Sequence, residues 1–287
     1  MRMRRTMQFI PGNNPNMVQN AGVLGADSVI LDLEDAIAIG EKDAARILTA
    51  IALRNVDFYK TEKVVRINSL DSYAQEDIAV IVPAGPDAIM LPKASCAQDI
   101  KQTAEWIRQA EKPGQKPVKI IPLLETSLGV LNAYEIATAD ERVEAIAFGA
   151  EDYTAGLEAQ RTKEGIEILA ARSQLVNAAV AAGVQVIDTP FTDVNDEAGL
   201  LKDCLLVRQL GFKGKLTINP RHIDTIHSVF SPSEREINWA RRVVDGLKEA
   251  EKEGIGVIAI DGKMVDKPIV DRAQRIIELA QVLGLTK

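Results

Sequence analysis

The chain has 287 residues, 46% of them hydrophobic but only 4% aromatic, and carries a formal net charge of −7 at pH 7. Acidic balance, with Lys and Arg interspersed among the acids, excludes a nucleic-acid footprint, and no apolar run reaches the roughly 20 residues that a membrane helix needs. Two cysteines, Cys96 and Cys204, are too few for a disulfide framework or a structural zinc site and point to a reducing compartment.

The length fits a single α/β barrel, and a core of Ile, Val, Leu and Ala suits a parallel sheet covered by helices. Arginines in Met1 to Thr6 are not followed by the apolar segment of a signal peptide, so the expected location is cytoplasmic. The expected partners are small molecules and other protein chains, with no nucleic acid and no membrane.

Arg5 to Ile10 reads as a first strand, and Pro11, Gly12, Asn13, Asn14 and Pro15 as a dense turn before a short helix ending near Gly25. Ser28 to Leu33 is an apolar strand apart from Asp32, and it ends in Glu34 and Asp35. A charged helix from Glu41 to Asp57 precedes a strand, Lys63 to Ile67, with Arg66 near its end. A helix over Ala74 to Val82, a strand over Ala88 to Leu91, and a helix over Ala97 to Glu111 closed by Pro113 and Gly114 continue the βαβ rhythm. Further on, Ile166, Leu169, Val176 and Val180 recur at helical spacing, with Gly183 as the C-cap. Val184 to Ile187 is strand seven, Glu197 to Leu210 its helix with Gly211 as the stop, and Lys215 to Ile218 strand eight. Eight such strands close into a (β/α)₈ TIM barrel, spanning residues 1–230, whose working groups sit after the strand C-termini.

Residues 231–287 form an extension with no linker before it. Ser233 and Glu236 make a capping box at the start of a charged helix. Gly256 to Ile260 and Lys263 to Val265 flank Asp261 and Gly262, a favoured two-residue hairpin turn, and Pro268 opens a last helix. This helix-hairpin-helix is expected to pack on the barrel or on a neighbouring subunit.

Two apolar runs stop at carboxylates: KIIPLLETSLG (119–129) at Glu125, and AIAFGAEDYTAG (145–156) at Glu151 and Asp152, each before glycine and small polar residues that predict a turn. Adjacent parallel strands put these acids at one end of a sheet. Hard divalent cations take oxygen ligands and leave positions to water and substrate, so Glu125 and Asp152 are read as holding Mg²⁺. One strand-end acid alone reads as a helix cap or ion-pair partner; two on different strands favour the metal. Glu34 and Asp35 serve as further ligands or hold water and a ligating group in place.

Arg66 at a strand end needs an anion, which is either a substrate carboxylate or phosphate or an internal partner, Glu34 or Asp35. Lys93, after IMLP, is a Schiff-base amine or, more plainly, a surface or anion-contacting lysine. The two histidines, His222 and His227, lie together beyond strand eight and leave little room for a Ser-His-Asp or zinc arrangement. No G-x-G-x-x-G or phosphate-loop motif occurs, so proton transfer falls to carboxylates.

The stretches RRTMQFIPGNN, DSVILDLEDAI, VVRINSL, IMLPKA, LLETSLGVLNAYEIA, FGAEDY, LGFKGKLTINPRHID and GKMVDKP occur in that order along nearly the whole chain. In them the sequence resembles the citrate lyase β subunits, within the HpcH/HpaI aldolase and malyl-CoA lyase-like family. That resemblance implies Mg²⁺ held by Glu125 and Asp152, substrate gripped by Arg66, and Asp266 of GKMVDKP reaching the active site of an adjacent subunit as acid or base. It implies more loosely that Arg5 contacts the thioester carrier's phosphates. The implied reaction is cleavage of a citryl thioester, on acyl carrier protein or CoA, to oxaloacetate and an acetyl thioester. Citrate lyase α and γ subunits are the implied partners, and a trimer or hexamer the implied homo-oligomer. The rival readings are a stand-alone malyl-CoA or citramalyl-CoA lyase or condensing relative, a Lys93 Schiff-base aldolase, and a non-catalytic scaffold that binds acyl carrier protein.

Overall fold

The computed structural model describes residues 2–252, 258–260 and 263–286. Eight parallel strands form a closed barrel in sequence order: β1 (Thr6–Pro11), β2 (Ser28–Asp32), β3 (Glu62–Arg66), β4 (Ala88–Leu91), β5 (Lys119–Leu124), β6 (Ala145–Phe148), β7 (Gln185–Asp188) and β8 (Gly214–Thr217). Alternation along each strand divides the side chains. Met7, Ile30, Val64, Met90, Ile121, Ala147, Ile187 and Leu216 form one apolar cluster that fills the barrel, while Ile10, Val29, Leu31, Val65 and Ile89, at the alternate positions, are buried as well. Such two-sided burial is why these strands read as nearly unbroken apolar runs.

Closure joins β1 to β8 with Thr6 opposite Lys215 and Met7 opposite Leu216. Gly214 makes the seam possible, because a Cβ there would lie 1.8 Å from the Arg4 carbonyl oxygen and 2.7 Å from that of Arg5. Only hydrogen fits at that distance, and the strands come close enough to bond: the Lys215 N–H donates to the Arg5 carbonyl at 2.9 Å.

Helices Lys42–Asn55, Ala74–Ile81, Ala97–Ala110, Ile166–Ala182 and Glu197–Leu210 lie within two residues of their expected limits, and Gly183 and Gly211 stop the last two. The turns expected after β5 and β6 are instead short helices, Ser127–Leu131 and Ala150–Gly156. After β5 the reason is Thr126, whose Oγ1 accepts the Gly129 N–H at 3.0 Å and caps a helix where glycine alone suggested a turn.

The chain divides into two compact units, Met1–His227 and Ser228–Lys287, the division falling within helix Ile223–Phe230. In the second unit, helix Glu234–Lys252 begins with the expected reciprocal cap: the Ser233 N–H donates to Glu236 Oε2 at 2.8 Å and the Glu236 N–H to Ser233 Oγ at 3.2 Å. Antiparallel strands β9 (Ile258–Ile260) and β10 (Lys263–Val265) follow, then helix Lys267–Val282. The turn residues Asp261 and Gly262 lie outside the described residues. Ala240, Val243, Val265, Val270 and Ala273 make this unit's own core. Among the described residues no helix is long and apolar enough to cross a membrane.

Gly214→Ala is expected to lower the unfolding free energy by about 2–3 kcal/mol in urea titrations, the cost of overpacking a buried seam. Gly40→Ala, where an added Cβ meets nothing within 4 Å, is expected to stay within about 0.5 kcal/mol of wild type.

Candidate active site

The C-terminal ends of the barrel strands surround an open cavity of about 530 Å³, lined by Phe9, Asp32, Asp35, Arg66, Glu125, Glu151, Asp152 and Thr189 among others. The register explains how distant stretches meet: Asp32 pairs with Arg66 across β2 and β3, and Leu124 with Phe148 across β5 and β6. Glu125 directly follows β5, and Asp152 stands in the first turn of helix Ala150–Gly156, which directly follows β6.

Glu125 is buried at 5% exposure, and its Oε1 accepts the backbone N–H of Lys93 at 2.8 Å. Lys93 holds that N–H in place with a left-handed backbone, φ +53°. Gly149 leaves the room Glu125 occupies, since a Cβ at Gly149 would stand 2.5 Å from Glu125 Oε2. Burial pushes the Glu125 carboxyl up to about 8, with Glu34 and then Asp152 adding to the rise, against the Lys93 N–H and Arg66. The negative charges of Glu34 and Asp152 thus disfavour ionisation of Glu125.

Arg66 is held far more tightly than spacing suggested. Its Nε and Nη2 donate to the two oxygens of Asp32 at 2.7 Å each, its Nη1 pairs with Glu34 at 2.9 Å and Asp35 at 3.2 Å, and its guanidinium lies 4.9 Å from the centre of the Phe9 ring. Burial opposes the charge, but the hydrogen bonds and charge of Asp32, followed by Glu34 and Asp35, outweigh it and raise the pKa. The internal ion pair considered for Arg66 therefore exists, with Asp32 as an unanticipated principal partner. A lone acid in an otherwise apolar strand was its signal, because a buried carboxylate requires a cation.

Glu34 is buried, its pKa raised by burial against the pull of Arg66 and Lys93. Lys93 Nζ bonds Glu34 Oε1 at 3.0 Å, a contact that raises the lysine's pKa. Both side chains line an adjoining depression of about 440 Å³ that shares Asp35 with the main cavity. Lys42, overlooked in the sequence, donates from Nζ to the carbonyls of Leu33 and Glu34 at 2.8 and 2.6 Å and ties down the loop after β2.

Arg5 is not brought to this mouth. It precedes β1, at the end of the strand opposite Pro11, and grips Asp27 with Nε at 2.8 Å and Nη2 at 2.7 Å. Strand direction puts Arg5 at the end of the barrel away from this cavity. Asp266 belongs to the second unit, where it is exposed and its side chain caps helix Lys267–Val282 by accepting the Ile269 N–H at 3.4 Å. Cys204 is buried, with its thiol pushed up by burial to about 12, which suits a packing role.

Among the described residues no group of three or more His, Cys, Asp or Glu side chains is placed to hold a metal. Two carboxylates, one buried and disfavoured as an anion, facing an open cavity are the donor set of a hard cation that keeps water and substrate oxygens; Glu125 and Asp152 fit Mg²⁺ in this way.

A family model described as HpcH/HpaI aldolase/citrate lyase matches residues 5–220. The chain belongs to this family. Citrate lyase subunit beta of Leuconostoc mesenteroides subsp. cremoris is 47% identical over 283 residues, covering 97% of this chain and 94% of that protein. The protein CitE of Mycobacterium tuberculosis, solved in complex with magnesium, acetoacetate and coenzyme A, superposes with a TM-score of 0.80 at 30% identity over 97% of this chain and 98% of that one. The citrate lyase beta subunit of M. tuberculosis complexed with oxaloacetate and magnesium gives a TM-score of 0.68 at 30% identity over 80% and 98%. The HpcH/HpaI match contains every residue named above as lining the cavity and ends before Asp266.

Without metal, the folded chain keeps a proton on Glu125 between about pH 4.5 and 8 that the unfolded chain has released. Stability from this group is therefore full below about pH 4.5 and falls as pH rises towards 8. Glu125→Gln is expected to remove that decline, so that in EDTA its thermal midpoint gains on wild type progressively from pH 5 to 8.

Proposed function

We propose that the chain is a magnesium-dependent carbon–carbon lyase that cleaves a citryl thioester to oxaloacetate and an acetyl thioester. The observation that carries this reading is the meeting of Glu125, Asp152 and Arg66 on one cavity in a chain 47% identical to a citrate lyase beta subunit. Relatives solved with magnesium, oxaloacetate and coenzyme A support the metal and the substrate class.

Magnesium, when bound by Glu125 and Asp152, supplies the Lewis acidity that lowers the pKa of the substrate's tertiary hydroxyl and stabilises the emerging keto acid. Arg66 binds a substrate carboxylate. Asp32 fixes the guanidinium from one edge, and Asp35, whose side chain is 61% exposed, holds the Nη1 side that such a carboxylate would take over. The hydroxyl proton passes to water at the open cavity as the carbon–carbon bond breaks, the bond's electron pair goes to the α-carbon of the thioester, and Asp266 of an adjacent copy relays a proton from solvent to that carbon, so one proton leaves and one arrives. The proton balance is zero. Glu34 and Lys93, paired at 3.0 Å, tie together the loops after β2 and β4 beside the site.

The thioester is carried on acyl carrier protein, in an assembly with α and γ subunits and further copies of this chain, and the setting is cytoplasmic. The coenzyme A complex of the M. tuberculosis protein favours a second reading, a stand-alone lyase acting on CoA thioesters. Assay of the purified chain with citryl-CoA and malyl-CoA, with and without carrier protein, separates the two, and metal-dependent turnover in either rules out a passive scaffold.

Asp152→Ala is expected to lower kcat by roughly 10³-fold in a folded protein; wild-type turnover in that variant removes the proposed function. Arg66→Lys is expected to raise the apparent Kd for oxaloacetate roughly 10–100-fold, the worth of one charge-assisted pair, as read by calorimetric titration in magnesium.

A further inference from the structure

The helix that carries Asp152 lacks a cap of its own. Ala150–Gly156 starts at Gly149, which has no side chain to offer, and no side-chain hydrogen bond is made from that position. A capping residue cannot replace Gly149, because any Cβ there would stand 2.6 Å from the Cβ of Glu125 and 2.5 Å from its Oε2. Making room for one acid thus strips the local cap from the helix that bears the other, and an orphan N–H of the first turn must find its acceptor elsewhere.

Thr189 provides it. This residue, on the loop after β7 and 1% exposed, accepts the Ala150 N–H on its Oγ1 at 3.1 Å. Its own place is set from behind. Asp188, the last residue of β7, is fully buried and accepts from Arg172 Nε and Nη2 at 2.9 Å each and from Lys215 Nζ. Asp203 completes the group, 3.0 Å from Arg172 and 2.6 Å from Lys215. Burying four charges is costly and is weak evidence of stabilisation. Its local consequence is a loop anchored immediately before Thr189.

The structure assigns Thr189 as a positioning residue: through Ala150 it sets the first helical turn and so the direction of the Asp152 carboxylate two residues on. The assignment rests on the proposed reading of Asp152 as a cation ligand. Outer groups that orient a ligand carry roughly 10–100-fold in metal affinity.

Magnesium titrated calorimetrically into the full chain tests it. Thr189→Val, isosteric but without the acceptor, is expected to weaken magnesium about tenfold, and Thr189→Ser, which keeps the oxygen, to restore the affinity to within about twofold of wild type. Hydrogen exchange of the amides of residues 150–156 is expected to rise in Thr189→Val before any metal is added. A threonine with only a structural part would lower the thermal midpoint and leave the affinity of the folded protein alone, so wild-type magnesium affinity in Thr189→Val overturns the assignment. Thr189→Ala, which removes the same oxygen with less crowding, carries the same expectation if the valine variant is recovered unfolded. Asp152→Asn, run alongside, separates the layers: lost affinity there with wild-type affinity in Thr189→Val removes the positioning role alone. Wild-type affinity in Asp152→Asn removes the cation reading and this inference with it.

Discussion

Repulsion among carboxylates governs the C-terminal mouth of this barrel. Asp32, Asp35, Glu125, Glu151 and Asp152 share one cavity lining with a single guanidinium, Arg66. Glu34 sits alongside, bridged to Arg66 and Lys93. Charge so unevenly distributed in a partly buried space is tolerated only if each acid is bonded, neutralised or partnered by a cation from outside. Asp32 and Glu34 are answered by side chains within the barrel. Glu125, buried and lifted to about 8, receives one N–H bond from Lys93 and retains an acidic neighbour in Asp152. Glu151 is answered by Arg161 at 3.2 Å, and the charge left at Glu125 and Asp152 is what a divalent cation would relieve.

That constraint accounts for residues with no chemistry of their own. Gly149 is glycine because Glu125 fills the space beside it. Lys93 adopts a left-handed backbone and gives its N–H to the same carboxylate. Lys42 ties the carbonyls of Leu33 and Glu34, so the loop bearing Glu34 and Asp35 cannot swing away from Arg66. The same economy holds at the opposite end of the barrel, where Arg4, buried at 3% exposure, binds Glu62 through Nε at 2.8 Å and Nη2 at 2.7 Å, and Ser28 Oγ adds a third bond to that acid at 2.6 Å. Bonded pairs at that end belong to the stability face of a barrel, and the excess of acids to its working face.

Much of this was legible without coordinates because strands and helices announce themselves by period. The eight apolar runs, Gly183 and Gly211 as helix stops, and the Ser233–Glu236 cap all depend on residues near one another in sequence. Motif order along the chain likewise pointed to the HpcH/HpaI family. The helices after β5 and β6 were read as turns because glycine dominates a local reading, whereas Thr126 supplies one cap from within its segment and Thr189 supplies the other from 39 residues away. Arg5 gave no local sign of its partner, and strand polarity sets it beside Asp27.

The sequence by itself determined the alternation of strand and helix, the acids placed at strand ends, and the folded character of the tail, since each follows from local spacing and turn chemistry. Which charges meet was decided only when the barrel closed. Asp32 with Arg66, Lys93 with Glu125, and Thr189 with Ala150 join neighbouring staves or their loops, Lys93 with Glu34 reaches from the loop after β4 past β3 to the loop after β2, and parallel register, not sequence distance, sets them. A side chain's partner in such a barrel lies one or two crossovers away, so its identity depends on the lateral alignment of strands that no single segment encodes.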